Sequence, residues 1–476
     1  MINVSNEFKR YMAEDGRDFL VWLDLKLKNG RVLKLDNSHL WENTLKINDG
    51  VTPSGEFTIG SCISNKLTFT LNNIYDDFSM YDFEGSEVII YLGLELNGKI
   101  EKIRKGTFVV DESKYDGSTI TLECLDYMSR LDQDYKEVST RYPNTLKGIV
   151  MDICDYCQVE LHTPDFDDSG YIVKERPDDE KLTCRQMLLY CAQIACKYAR
   201  FNTDGLLCLD WFDTDVFIKN GSLEGGFFDK HAPYESGDAA DGGSLYEDML
   251  GFDADAGFFK DMDSFHHLYS MSSFSVNTDN VIVTGVRVTE DCEGTEYYKR
   301  QTVLAGVEGY VLAVSDNQLI QKRQADIVAP YLGEKLTGIK FRPLSMQVLS
   351  DPTVEAGDVA YVTDYKHNTY QCLITNLTFQ LGGFMEVSCD AETAGKNNAK
   401  QYSELSRAVA QTRKSARDND AVTESREVVQ TSYSRAADIS LAVLGKTATV
   451  TIPDGVCLEF VNGLLVGGKR ANGDSI

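Results

Sequence analysis

The chain has 476 residues, of which 42% are hydrophobic, 25% charged and 10% aromatic, a composition that fits a folded protein of about three domains and excludes a disordered or fibrous one. Its 47 Lys and Arg against 74 Asp and Glu leave a net charge of −27, which argues against an electrostatic grip on nucleic-acid phosphates. No run reaches the ~18 consecutive apolar residues of a membrane span, and the opening MINVSNEFKRYMAEDGR lacks the apolar core of a secretory signal, so synthesis and folding in the cytosol are expected.

Residues 1–125 read as strands. Alternating or short apolar runs at Phe19–Leu27, Arg31–Leu35, Lys66–Leu71, Glu87–Leu94, Gly106–Asp111 and Ser118–Leu125 are separated by turn clusters such as Lys28-Asn29-Gly30 and Leu96-Asn97-Gly98. Six strands this close together predict a β-barrel or sandwich. Helical spacing follows in 126–212. Asn144 is the expected N-cap of a helix carrying Leu146, Ile149, Val150, Ile153 and Cys157, and a second helix opens at Thr183 with Met187, Leu188, Cys191, Ile194, Ala195 and Tyr198 on its apolar face. A strand at Leu206–Trp211 makes this an α+β domain. Residues 213–263 change character, since the stretch 229–263 alone holds ten acids and two bases among glycine-rich turns; a loop-rich surface insertion is expected.

Strands resume at Ser272–Val276 and Val281–Val288, give way to a mixed segment with a helix near 315–332, and continue at Lys340–Val348, Asp358–Thr363, Gln371–Phe379 and Phe384–Cys389. This predicts a second β-domain, 264–300 and 339–393, split by a small insert at 301–338. The fold class expected is therefore α+β and β-rich. From Lys396 to Leu444 there is neither Pro nor Gly, and Tyr402, Leu405, Val409, Val422, Val429 and Tyr433 recur at helical spacing with one slip. A helix over 396–444 would run about 70 Å at 1.5 Å rise per residue, too long for a lone globular helix, so these six residues are the expected interface of a multimeric stalk, the competing reading being a single helix packed back on its own body. Residues 445–476 read as a small β unit.

No catalytic, cofactor or metal residue emerges. Cys154-Asp155-Tyr156-Cys157 is the only C-x-x-C, lies on a predicted apolar helix face and has no second pair of ligands; the twelve cysteines are expected as reduced thiols. Gly445-Lys446-Thr447 has Ser440 where a phosphate loop needs its first glycine, and Gly242-Gly243-Ser244 is followed by Tyr246 where a hydrolase elbow needs its last. His266-His267 lacks the acid and histidine of a zincin. Asp253-Ala254-Asp255 opens like a calcium loop but has Ser264 at the place of the bidentate glutamate; a looser Ca²⁺ site in the acidic insertion is the one cofactor left open.

The run Lys105–Ser113, then Tyr115–Met128, Leu131-Asp132 and Tyr142–Leu146 with a helix after it, resembles the front half of the central baseplate hub or tail-tip (tail-associated) proteins of tailed bacteriophages and prophages. The Asp-Gly-Gly insertion near 241, Gly357–Val362 and the strands Gln371–Phe379 and Gly383–Cys389 extend that resemblance over roughly residues 1–395. It implies two tail-tube-like β-barrels, at 1–125 and at 264–300 with 339–393, in a homotrimeric ring that joins a sixfold tail tube to a threefold tip. It further implies a channel for genome or tape-measure passage and a location in the virion. The implied partners are further copies of the chain, the distal tail or tail tube protein above, a tip, spike or receptor-binding protein below, and the tape-measure protein. Two other readings compete with this structural one: a tail-associated cell-wall hydrolase drawing carboxylates from the acidic insertion, and host-glycan adhesion through Phe227, Phe228, Tyr234, Phe258 and Phe259.

Overall fold

The computed structural model describes residues 2–12, 17–219, 266–269, 271–291, 300–366, 368–393, 396–397, 448–451, 457–461 and 464–469. The chain divides into two compact units, Met1–Ala399 and Lys400–Ile476. The first has a β-rich α+β fold.

Strict alternation builds its first β-array. In β4 (Lys66–Asn72) Leu67, Phe69 and Leu71 point inward while Lys66, Thr68 and Thr70 face outward. β1 (Leu20–Lys26), β2 (Val32–Asp36), β5 (Glu87–Leu96) and β7 (Thr119–Leu125) repeat the pattern. β3 (Lys46–Gly50) is short, and β6 (Lys99–Asp116) has 18 residues because bulges at its pairings with β5 and β7 bend it into both hairpins. Spatial order is β4-β7-β6-β5-β1-β2. The chain leaving β2 then turns to bridge Leu40 with Leu71 of β4, which ties the array's ends together around one apolar core. Phe8 of α1 (Asn6–Tyr11) is fully buried in that core.

The following segment contains the short pair β8 (Asn144–Thr145) and β9 (Ile172–Val173), α2 (Leu146–Cys157), α3 (Cys184–Ile194), the hairpin β10 (Tyr198–Phe201) and β11 (Leu207–Asp210), and α4 (Asp215–Lys219). α3 opens at Thr183, as expected, and Thr183 caps it in a reciprocal box with Gln186. Two local expectations are corrected. The N-cap of α2 is Thr145, whose hydroxyl accepts from Gly148 N at 3.1 Å, while the Asn144 side chain accepts from Thr145 N at 2.9 Å. Tyr198 is not helical: Cys196 adopts φ 55, in the left-handed region that stops a helix, and Tyr198 opens β10. Val216 and Phe217 of α4 are buried, so ordered packing extends past residue 213.

The second β-array comprises β12 (His266–Leu268), β13 (Met271–Val276), β18 (Leu344–Leu349), β19 (Val359–Thr363), β20 (Thr369–Leu373), β21 (Asn376–Gln380) and β22 (Phe384–Cys389). Pairing runs β13-β18-β22-β21 and β12-β19-β20. β12 leads into β13 and β20 into β21, so the chain passes twice from one row to the other. β14 (Val281–Thr289), β15 (Thr302–Gly306) and β16 (Tyr310–Val314) form a separate sheet, with β17 (Lys340–Phe341) on β14 and α5 (Ala325–Leu336) packed over it. The helix expected near 315–332 thus lies later, because Asn317 is spent on a turn: its side chain donates to Tyr190 O and accepts from Leu319 N, both at 2.9 Å. Pro343 separates the single strand expected at 340–348 into β17 and β18.

β21 pairs antiparallel with β3, Asn376 opposite Gly50 through Gln380 opposite Lys46. Strands of the two arrays thereby form one eleven-stranded sheet. The second unit contains the antiparallel strands β23 (Ala448–Thr451), β24 (Cys457–Val461) and β25 (Leu464–Lys469), in the region expected to be β.

Candidate functional site: a buried ionic junction

A buried polar cluster lies where the first array, the β10–β11 hairpin and the loop before β19 meet. It surrounds a small cavity of about 30 Å³, room for one water molecule. Arg200 enters from β10, whose neighbours Tyr198, Ala199 and Phe201 are buried. Its guanidinium donates to Glu355 Oε1 at 3.2 Å, to Asp49 Oδ2 at 3.5 Å and to Ala356 O. Asp49 also accepts from Ala356 N at 2.9 Å and from Asn65 Nδ2 at 2.8 Å, while Asn65 Oδ1 accepts from Gly50 N at 3.0 Å. Lys105 reaches across to Val354 O at 2.8 Å. A charge buried this deeply is costly unless paired, so each of these contacts constrains how the three segments fit.

Gly357 belongs to the same loop. Its φ is +96, and a Cβ there would run into the Tyr198 hydroxyl, which donates to Gly357 O at 3.4 Å. Asp358 accepts from Glu355 N and meets His266 Nε2, each at 3.0 Å. The stretch Gly357–Val362, which carries part of the sequence resemblance, is thus a clamp between β10 and the second array. His267 is buried with Nε2 2.8 Å from Thr363 Oγ1, and burial pushes its pKa down to about 3, so its ring is neutral at physiological pH.

Asp126 completes the junction from the end of β7. Its carboxylate accepts from Ser64 Oγ at 2.8 Å, Asn65 N at 3.0 Å and Met128 N at 3.1 Å. Burial, reinforced by the Asp49 charge, pushes its pKa up to about 6 against those hydrogen bonds. The native state therefore holds this proton more tightly than the unfolded chain between about pH 4 and 6. The group's contribution is fully present below about pH 4 and is lost as pH rises through 6, a swing of roughly 3 kcal/mol at ~1.4 kcal/mol per pKa unit. Comparing denaturant midpoints of the protein and its Asp126→Asn variant from pH 4 to 8 checks this: the difference between the two curves should change through that window and level off above it.

None of the junction residues stood out by motif. The one local signal was Arg200, a charge inside the apolar run Tyr198-Ala199-Arg200-Phe201, which demands a buried counter-charge. Cys154 and Cys157 are buried on the core face of α2, and ten of the twelve cysteines are described, all as free thiols. The stalk residues Tyr402, Leu405, Val409, Val422, Val429 and Tyr433 lie outside the described residues. So do Gly242–Ser244, Asp253–Ser264, Gly445–Thr447 and the loop aromatics Phe227, Phe228, Tyr234, Phe258 and Phe259.

No protein-family model and no curated protein matches the chain. Solved structures similar to it include tail and prophage tail proteins. It is similar to the tail protein from Neisseria meningitidis MC58, at 13% identity over 77% of this chain and 95% of that one with a TM-score of 0.43. The 43 kDa tail protein of prophage MuSo2 from Shewanella oneidensis gives 13% identity, 78% and 97% coverage and a TM-score of 0.43. Prophage tail protein gp18 from Listeria monocytogenes EGD-e gives 11%, 82% and 99%, again with 0.43.

Proposed function

We propose that the chain is a structural tail hub, a homotrimeric adaptor in the virion between a sixfold tail tube and a threefold tip. The observation that carries this reading is the β3–β21 pairing, which fuses two β-arrays edge to edge in one chain. Three such chains present six arrays around an axis while keeping threefold symmetry, the geometry a junction between six and three requires. The sequence resemblance over 1–395 supports the same role. An acidic body suits a passage for nucleic acid or tape-measure protein, since a wall without broad basic patches does not trap phosphates. The role is structural rather than catalytic, and the neighbours are the tail tube or distal tail protein and the tip protein. The 396–444 segment acts as a central stalk through Leu405, Val409, Val422 and Val429.

Light scattering on the purified protein, or on tails carrying it, is expected to give three copies of the 53.2 kDa chain, about 160 kDa, and particle images a threefold ring. A ring of any other symmetry, or peptidoglycan cleavage abolished by a single carboxylate substitution, overturns the reading.

A further inference from the structure

In a chain with 27 excess negative charges, one cleft of the first unit is basic. It lies between the β1–β2 turn, the start of β5 and the 3-10 turn that follows β7, has a volume of about 280 Å³, and is lined by Lys26, Lys28 and Arg130 with Glu87 as its one acid. Among the described residues no carboxylate lies within ion-pair distance of Lys26, Lys28 or Arg130. In contrast, Lys66, Lys114, Lys147, Lys335 and Arg185 all have acidic partners.

The cleft is built rather than incidental. Gly85, at φ +70, lets the Lys28 stem lie across it: a Cβ there would stand 2.6 Å from Lys28 Cε. Arg130 is stacked 3.8 Å over the Tyr127 ring and donates to Gln158 O at 3.3 Å. The Tyr127 hydroxyl in turn donates to Glu87 at 2.5 Å, which holds that carboxylate on the tyrosine. Leu27 and Val109 give the cleft an aliphatic wall.

We propose that this cleft binds an acidic segment of another protein chain, one or two carboxylates entering between Lys28 and Arg130 while their aliphatic stems lie on Leu27 and Val109. A carboxylate matches the Arg fork and the Lys point charge. A protein segment is favoured over nucleic acid because it can deliver isolated carboxylates, whereas a continuous line of phosphates would have to run along a chain carrying 27 excess negative charges. The assignment does not depend on the tail reading.

The test is fluorescence anisotropy of a labelled hexaglutamate peptide titrated with the full-length protein at low ionic strength. Binding is expected, weakening as salt is added. Lys28→Glu with Arg130→Glu should raise the Kd about tenfold or more, while Lys34→Glu with Lys99→Glu, the same charge change at exposed sites elsewhere on the array, should leave it within about twofold. Gly85→Ala, which keeps every charge but displaces Lys28, should weaken binding severalfold; unaltered circular dichroism and melting confirm that the variants fold. The proposal is overturned if the native protein does not bind the peptide, if the control pair weakens binding as much as the cleft pair, or if a labelled oligothymidine binds more tightly through the same residues.

Discussion

Replacing Arg200 with Met is expected to lower the stability of the first unit by about 3–5 kcal/mol, because it removes the buried guanidinium that pairs with both Asp49 and Glu355. Their side chains are only 9% and 15% exposed, so water cannot take over the role of the guanidinium. The same change also removes the donor to Ala356 O, and with it one tie on the loop before β19. Adding Asp49→Asn and Glu355→Gln to Arg200→Met should recover part of the loss, since the charges that cannot be solvated are then gone. A denaturant midpoint for the single variant within ~0.5 kcal/mol of the native protein would show that the junction is not a structural tie. The remaining cost in the triple variant measures the hydrogen bonds alone, which at ~1 kcal/mol each should be the smaller share.

How much of this was legible in the sequence depends on the range of the interaction. β4 was readable because Leu67, Phe69 and Leu71 alternate with polar residues over seven positions. β3 was not, because Lys-Ile-Asn-Asp-Gly offers a single large apolar residue, Ile47, and its partner β21 lies more than 300 residues away. Tyr198 was misassigned to a helix because its spacing from Cys191 and Ile194 continues the helical period, while the left-handed backbone at Cys196 that ends the helix has no Gly or Asn to announce it. The junction was illegible for the same reason as β3. Arg200, inside an apolar run, signals that a buried partner exists but not which one, while Asp49, Asp126 and Glu355 come from three other segments and each looks like an ordinary polar residue until the fold places them together.

Phe57→Ala is expected to cost a further class of stability, about 3–5 kcal/mol, through packing rather than charge. Phe57 is 4% exposed in the connection between β3 and β4, and its ring lies 4.7 Å from Phe341 of β17, 6.0 Å from Phe212 and 6.1 Å from Trp211, centroid to centroid. Tyr198 of β10 extends the cluster, 5.4 Å from Phe212 and 6.1 Å from Trp211. One side chain from the first array's connection therefore touches both the β10–β11 region and the strand leading into the second array, and no layer of water separates the three. Truncating it opens a cavity bounded by aromatic rings that are anchored in different segments and cannot collapse together, which places the cost at the upper end for a large-to-small change. Phe57→Leu, which refills most of the volume, should lose under half as much. Because the cluster is shared, the loss should appear as a shift of one cooperative transition, with Trp211 fluorescence and far-ultraviolet circular dichroism moving together. If the two signals instead separate in Phe57→Ala, with the strands persisting after Trp211 is exposed, the two arrays fold independently and the β3–β21 pairing is a docking contact between them rather than a common core.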